Sequence, residues 1–149
     1  MAALPARIRA LLWENTTLVM ATERDGQPWI ASVFYAPEER DGTVTLTCAL
    51  LSTSRKLANV RHNPRVAVYA GPREPTRWLQ ATGTAAVVDD PRAAAAALAR
   101  LTAHAPAARI FVDRVPVTPI VVTVSHIRLT DLTGGGPPFE TWPVAAPAP

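Results

Sequence analysis

Residues 47–64, TCALLSTSRKLANVRHNP, join the end of a predicted strand to a predicted helix. Apolar and polar residues alternate from Thr43 to Leu50, which is the period-two pattern of a strand with one buried face and a threonine-lined polar face. The hydroxyl residues at 52–54 are typical helix N-caps, so a helix is expected from Arg55 to about His62. The Asn-Pro pair that follows ends it, because the residue before a proline avoids the α-helical region.

Two cations, Arg55 and Lys56, open this helix. The first N–H groups of a helix have no partner within it and carry partial positive charge, so they attract anions. A guanidinium fork and an ammonium group both suit phosphate, and Lys56 is the chain's only lysine. Cations are unfavourable at a helix N-terminus, and a bound anion would offset that cost. The residues alone leave two interpretations open, a phosphate site or two solvated side chains on a capped helix.

The rest of the chain predicts short helices outside an antiparallel sheet. Further helices are expected over residues 6–13 and from about 89 to 104. Strands are expected at residues 16–23, 29–35, 43–50, 65–70, 77–88 and 120–129, with Gly83 marking a bulge or a close backbone approach. Asp-Gly turns join the first three strands, which favours antiparallel pairing. Six strands with few helices indicate a closed or partly closed barrel, because closure removes exposed strand edges.

Length and composition indicate one globular domain. The chain has 149 residues and a net charge of +3, enough for a single core. We expect the domain over residues 1–133 and an irregular Gly- and Pro-rich arm over residues 134–149. Basic residues form no run of the kind that binds nucleic acid, and no apolar run has the length of a membrane span. Neither nucleic acid nor a membrane is expected as a partner, and a cytoplasmic location is the default expectation.

Neither a metal site nor a catalytic pair stands out in the sequence. His62, His104 and His126 are far apart and lack metal-ligand spacing. The single cysteine, Cys48, falls on the apolar face of its strand and is expected to be a buried, inert thiol. No nucleophile has a base beside it in a known motif, so the catalytic residues stay unknown.

Residues 26–90 resemble the pyridoxamine 5'-phosphate oxidase-like family of FMN-binding split barrels. The resemblance rests on DGQPWIASVF, SRKLANVRHNPRVAVYAG and RWLQATGTAAVVDD in this order, together with the strand that contains Thr47. It implies a mainly β fold, a six-stranded antiparallel split β-barrel of the flavin-reductase type. It also implies an FMN cofactor, a homodimer with the cofactor at its interface, and an oxidoreductase activity on a small-molecule substrate.

The same resemblance implies which residues bind the cofactor. The phosphate would be held by Arg55 and Lys56, with help from Ser54 and Thr47, and Asn59 would reach the phosphate or the ribityl chain. The isoalloxazine ring would face three residues of the second predicted strand, namely Ala31, Ser32 and Val33. Two residues of the partner subunit would complete the site, Trp78 and Gln80.

Two departures separate the chain from the true oxidase of this family. Where that enzyme brings a basic residue toward flavin and substrate, the matching stretch here has Ala31 and Ala36. The chain also ends in FETWPVAAPAP and lacks the family's Arg-x-His pair. Oxidation of pyridoxamine phosphate is therefore not expected.

Three alternatives to an FMN enzyme stay open. A reductase that uses the deazaflavin F420 would share the phosphate grip and add a basic groove, for which Arg61, Arg73 and Arg77 are candidates. A haem-binding protein would need an axial ligand, for which His62 or His126 is available. A non-catalytic flavin carrier or sensor would bind the cofactor without turnover.

Overall fold

The structure is a computed structural model, and it describes residues 2–143. Its helices are α1 (Ala6–Glu14), α2 (Arg55–His62), α3 (Pro91–His104) and α4 (Arg109–Arg114), the last preceded by a 3-10 turn at Pro106–Ala108. Its strands are β1 (Thr17–Arg24), β2 (Gln27–Arg40), β3 (Thr43–Leu51), β4 (Arg65–Ala70), β5 (Arg77–Val87), β6 (Val117–Asp131) and β7 (Phe139–Trp142).

One antiparallel sheet contains all of these strands, in the order β3-β2-β1-β4-β5-β6-β7. The first half of β6 also pairs with β3, so the six predicted strands close into a ring. The second half of β6 pairs with β7, which adds a seventh strand outside that ring. The predicted mainly β split-barrel architecture is confirmed.

Tight turns with positive φ angles connect the first three strands. Asp25 and Gly26 have φ angles of 51° and 82°, and Asp41 and Gly42 have 50° and 75°. Both central residues of each turn thus adopt the left-handed conformation of a type I′ hairpin, for which the Asp-Gly sequence is suited. The turn signals in the sequence therefore fix the register of β1 against β2 and of β2 against β3.

The barrel interior is filled by the alternate apolar residues of the strands, and α1 closes one side of it. Ile8, Leu11 and Leu12 of α1 are buried in the same cluster as the strand residues. The hydroxyl of Tyr35, itself fully buried, donates a hydrogen bond to the Leu12 carbonyl at 2.6 Å. This bond satisfies a polar group in the core, and it ties α1 to β2.

The expectation of an irregular C-terminal arm is wrong for Phe139–Trp142, which form β7. Trp142 explains the difference, because its ring is only 2% exposed and its Nε1–H donates to the Ala2 carbonyl at 3.0 Å. A large apolar ring with a satisfied polar atom anchors the segment to the chain's own core. The last part of the predicted arm, residues 144–149, lies outside the described residues.

Two local expectations at buried positions are confirmed. The ladder between β5 and β6 shifts register at Thr82 and Gly83, and a Cβ atom at Gly83 would lie 2.5 Å from the Thr123 carbonyl oxygen. The glycine is thus required by a close backbone approach. Cys48 is fully buried, and this burial raises the pKa of its thiol to about 12.

Candidate functional site

The main feature of the site is a gap between β2 and β3. Their ladder runs from Arg40–Thr43 only as far as Tyr35–Cys48. Beyond that rung, β3 continues along β6 to Leu51 while β2 continues along β1. The edge of β2 that precedes Tyr35 therefore has no strand partner on its β3 side within the described residues. Backbone groups on such an edge need other hydrogen-bond partners.

A cavity of about 100 Å³ occupies this gap. Its lining comes from both separating strands, from the start of α2 and from α4, namely Ser32, Val33, Phe34, Ala49, Leu50, Leu51, Lys56 and Phe111. The structure thus brings Lys56 together with Ser32 and Val33, as the family resemblance implies. Ala31 lies on the inward side of β2 opposite Met20, and its side chain is not part of this lining.

Helix α2 places the cations of the site. Its cap is Ser54, whose hydroxyl oxygen accepts a hydrogen bond from the Leu57 N–H at 3.2 Å. Leu57 and Val60 anchor the helix in the core. The first turn contains no acidic residue. The helix is therefore fixed with its two cations at the positive end of its dipole.

Arg55 and Lys56 serve different cavities. Lys56 lines the gap, whereas the Arg55 guanidinium lies 4.3 Å from the centre of the exposed Trp29 ring. Arg55 and Trp29 belong to a second, larger cavity of about 620 Å³. Its other lining residues come from the first hairpin turn, from the two residues before α2 and from α2 itself, namely Arg24, Asp25, Gln27, Thr53, Ser54, Ala58 and Asn59.

Asn59 is a buried member of the second cavity. It is 3% exposed, and its Nδ2 donates to the Thr22 hydroxyl at 3.0 Å. This bond ties α2 to β1 and leaves the amide oxygen for a further donor. Thr47 does not join either cavity. It is also 3% exposed, and it lies on the same face of β3 as Ala49, which packs against Leu101 of α3.

Trp78 and Gln80 lie away from the gap, on the outward face of the sheet. They are two residues apart on β5 and therefore point to the same side. Gln80 lines a third cavity, of about 450 Å³, beside Ile30 of β2. Ile30 and Ser32 share a face of β2, so the third cavity and the gap lie next to each other along that strand.

The arginines proposed for a deazaflavin groove are not gathered at the site. Arg61 forms a bidentate pair with Asp89, at 2.8 and 3.0 Å, and this pair lowers the pKa of the carboxyl group. Arg77 binds Glu14 at 2.6 Å and lies 3.8 Å from Asp131. Two of the three candidate cations are thus paired with acids of the same chain.

The histidines are dispersed as the sequence indicates. His62 contacts Asp25 at 3.1 Å and His104 contacts the Asn15 carbonyl at 2.9 Å. His126 lines the third cavity. Within residues 2–143, no three His, Cys, Asp or Glu side chains form a group that would hold a metal ion.

Phe111 closes one side of the gap and was not predicted from the sequence. It lies on α4, a six-residue helix without a side-chain N-cap, and so short a segment shows no helical periodicity. Arg24 and Gln27 of the second cavity were not predicted as site residues either. In the sequence they are marked only by their position beside a tight turn. The Asn63 side-chain amide, at the end of α2, donates a hydrogen bond to the Glu23 carboxylate at 2.6 Å and so holds this turn beside α2.

A ring of antiparallel strands that separates beside a cation-bearing helix defines the class of split barrels. The chain belongs to the pyridoxamine 5'-phosphate oxidase family, because the family model of that description matches residues 4–131. No protein with a curated description matches the sequence.

Solved structures with the same fold include a haem-binding protein, an FAD-binding protein and a member of the pyridoxinephosphate oxidase family. A haem-binding protein from Mycobacterium smegmatis superposes with a TM-score of 0.70 at 19% identity, over 94% of this chain and 59% of its own. An FAD-binding protein from Mesorhizobium loti gives 0.64 at 17% identity, over 83% and 92%. A member of the pyridoxinephosphate oxidase family from Clostridium acetobutylicum gives 0.67 at 14% identity, over 91% and 90%. At these identities the likeness shows the fold alone.

No helix among residues 2–143 has the length and apolar character needed to cross a membrane.

Proposed function

We propose that this chain binds a flavin phosphate, with FMN the first choice, and acts as an oxidoreductase on a small-molecule substrate. The observation that carries the proposal is the position of Lys56. Its side chain lines the gap beside the unpaired edge of β2, and no described carboxylate lies within ion-pair distance of it.

Electrostatics at the start of α2 support an anionic ligand. Each cation at a helix N-terminus costs roughly 0.3–1 kcal/mol when it stays unpaired. Two such cations, with no acidic residue in the first turn, make a phosphate the fitting partner for the helix end. The Ser54 hydroxyl caps the helix and is adjacent to the same position.

The edge of β2 supports a heteroaromatic ring beside that phosphate. Backbone N–H and C=O groups around Ser32 and Val33 face a gap in place of a neighbouring strand. The isoalloxazine ring carries donors and acceptors along one edge and would pair with them. The flavin would supply the hydride or electron-pair chemistry, while Lys56, Ser32 and Val33 bind and orient it.

The size of the gap supports a site shared between two subunits. Ligand pockets usually have volumes of about 300–1,000 Å³, and the gap has about 100 Å³. A flavin ring would therefore extend out over the surface of the sheet. There, Ile30 lies two residues before Ser32 on the same face of β2 and is 66% exposed. A second copy of the chain would cover Ile30, and its Trp78 and Gln80 would close the site.

The visible absorption spectrum of the purified protein, before and after FMN is added, tests the proposal. We expect a bound-flavin spectrum for the wild type and a weakened or absent one for Arg55→Ala/Lys56→Ala. Arg92→Ala is the matched control, because Arg92 is exposed on α3 and forms no ion pair in the described chain. Wild-type protein that takes up no FMN would overturn the assignment.

The same titration separates the alternatives. Uptake of F420 in place of FMN would keep the site and change the cofactor, and a Soret band would indicate haem. Bound FMN that is not reduced by NADH or NADPH and shows no reaction with oxygen would indicate a flavin carrier or sensor. Analytical ultracentrifugation gives the subunit number, which we expect to be two.

A further inference from the structure

The third cavity lies on the outward face of the sheet and combines an apolar floor with one polar end. Its volume of about 450 Å³ falls within the usual range for small-molecule sites. Small side chains form the floor, namely Val19, Ala21 and Ala67. Ile30 and Tyr69 form the walls, and the polar residues Gln80, Thr82, His126 and Arg128 lie along β5 and β6. A flat apolar ring fits such a floor, and the polar end would orient it.

Arg128 gives this cavity an uncompensated positive charge. Its guanidinium lies 4.6 Å from the centre of the Phe139 ring, so the aromatic face holds the group in one place. No described carboxylate lies within ion-pair distance of it, in contrast to Arg61 and Arg77. A fixed guanidinium without an acid is a ready partner for a carboxylate, which it binds with two parallel hydrogen bonds.

His126 lies two residues before Arg128 on the same face of β6 and is a second polar residue without a complete set of hydrogen bonds. Its Nδ1 atom is buried and has no hydrogen-bond partner within residues 2–143, although the side chain lines the cavity. A buried N–H without an acceptor is costly. The tautomer that carries its proton on Nε2 is therefore favoured, and it makes the imidazole a donor. The Arg128 guanidinium and the His126 imidazole thus both present N–H donors to the cavity.

We propose that this cavity binds a small aromatic carboxylate, with the ring on the apolar floor and the carboxylate on Arg128 and His126. The ligand would lie at the face that the proposed second copy covers, beside Ile30, and its binding does not require the cofactor. That this ligand class is the substrate rests on the proposed function, because the cavity adjoins the gap along β2 through Ile30 and Ser32. A carboxylate is preferred to a phosphate because the cavity holds one guanidinium and no other cation.

Isothermal titration calorimetry of the flavin-free protein with benzoate tests the site, with benzamide as the neutral ring of the same shape. We expect benzoate to bind at least about tenfold more tightly than benzamide, as the loss of a charge-assisted hydrogen bond predicts. Arg128→Gln should abolish this preference, and the matched control Arg92→Gln should keep it. Equal binding of benzoate and benzamide, or equal behaviour of the two arginine variants, would overturn the proposal.

Two variants of His126 separate hydrogen bonding from packing. His126→Gln places an amide N–H near the position of Nε2 and should retain benzoate binding, whereas His126→Leu should weaken it severalfold. Loss in both variants, with circular dichroism spectra that match the wild type, would contradict the donor role. Tighter binding of phenyl phosphate than of benzoate would overturn the choice of carboxylate.

FMN titration and benzoate titration distinguish an error in the cavity assignment from an error in the cofactor assignment. FMN titration of Arg128→Gln should match the wild type, because Lys56 and the gap are untouched. Benzoate binding without any FMN binding would leave the cavity assignment standing and remove its role as a substrate site. A wild-type dimer that binds FMN but no benzoate would show that side chains of the second copy fill the cavity, and this would overturn the assignment.

Discussion

The Arg55 guanidinium covers the Trp29 ring at 4.3 Å, while the adjacent Lys56 lines the gap between β2 and β3. Consecutive residues of a helix point about 100° apart, so two neighbouring cations reach two different cavities. The Ser-Arg-Lys sequence therefore contains one cation for the gap and one held against an aromatic face.

This division predicts unequal effects of the two single substitutions. Lys56→Ala removes the charge within the gap and should weaken FMN binding by about tenfold or more. Arg55→Ala should have a smaller effect on FMN binding, and it should change the emission of Trp29. Fluorescence titration of both variants measures the first effect, and comparison with Trp29→Phe assigns the second. Equal losses of affinity would place the phosphate between the two cavities.

Gly83 predicts a stability effect at the bulge between β5 and β6. A Cβ atom there would lie 2.5 Å from the Thr123 carbonyl oxygen and 2.8 Å from a methyl group of Val122. Because backbone has to move, Gly83→Ala should lower the free energy of unfolding by about 1–3 kcal/mol. Gly135→Ala is the control, since no atom lies within 4 Å of its Cβ position. Urea denaturation that ranks the two variants equally would contradict the close approach.

Much of the fold was predictable because its signals are local. Period-two alternation and apolar runs between turn signals located the six barrel strands, and the Asp-Gly turns fixed two hairpins. The segment that contains Trp142 could not be predicted from local signals. A Gly- and Pro-rich segment predicts an irregular arm, and only the groove beside Ala2, built from distant parts of the chain, makes it a strand.

The candidate site was predictable to a similar limit. The residue pattern drew attention to Lys56 and the family resemblance to Ser32, and both line the gap, but alternation placed Thr47 on a polar face. Alternation cannot show that α3 covers that face and buries the hydroxyl. In the same way, the spacing of His126 and Arg128 puts them on one side of a strand. The cavity they share depends on the register of β6 against β5 and of β5 against β4.

Cys48 predicts a thiol that reacts only after unfolding. It is fully buried, and burial raises its pKa to about 12. The reactive thiolate is therefore scarce at pH 8, and reagents cannot reach it. Native protein should stay unlabelled by iodoacetamide at pH 8, and protein in guanidinium chloride should incorporate one label, as mass spectrometry would detect. Rapid labelling of the native protein would mean that β3 opens readily.

Asp131 predicts how stability depends on pH. Hydrogen bonds from the Thr133 hydroxyl and backbone N–H, and from the Arg7 guanidinium at 3.1 Å, lower the pKa of Asp131 to about 2. Since an unfolded aspartate titrates near pH 3.9, this carboxylate contributes its full stability above about pH 4 and loses it as the pH falls toward about 2. Asp131→Asn should therefore be less stable at pH 7 and should lose less stability between pH 4 and pH 2.

Urea denaturation at several pH values measures this pH dependence, with Asp113→Asn as the control because Asp113 is exposed on α4. Equal pH dependence of the Asp131 variant and the wild type would show that the bonds to Thr133 and Arg7 do not stabilise the folded chain.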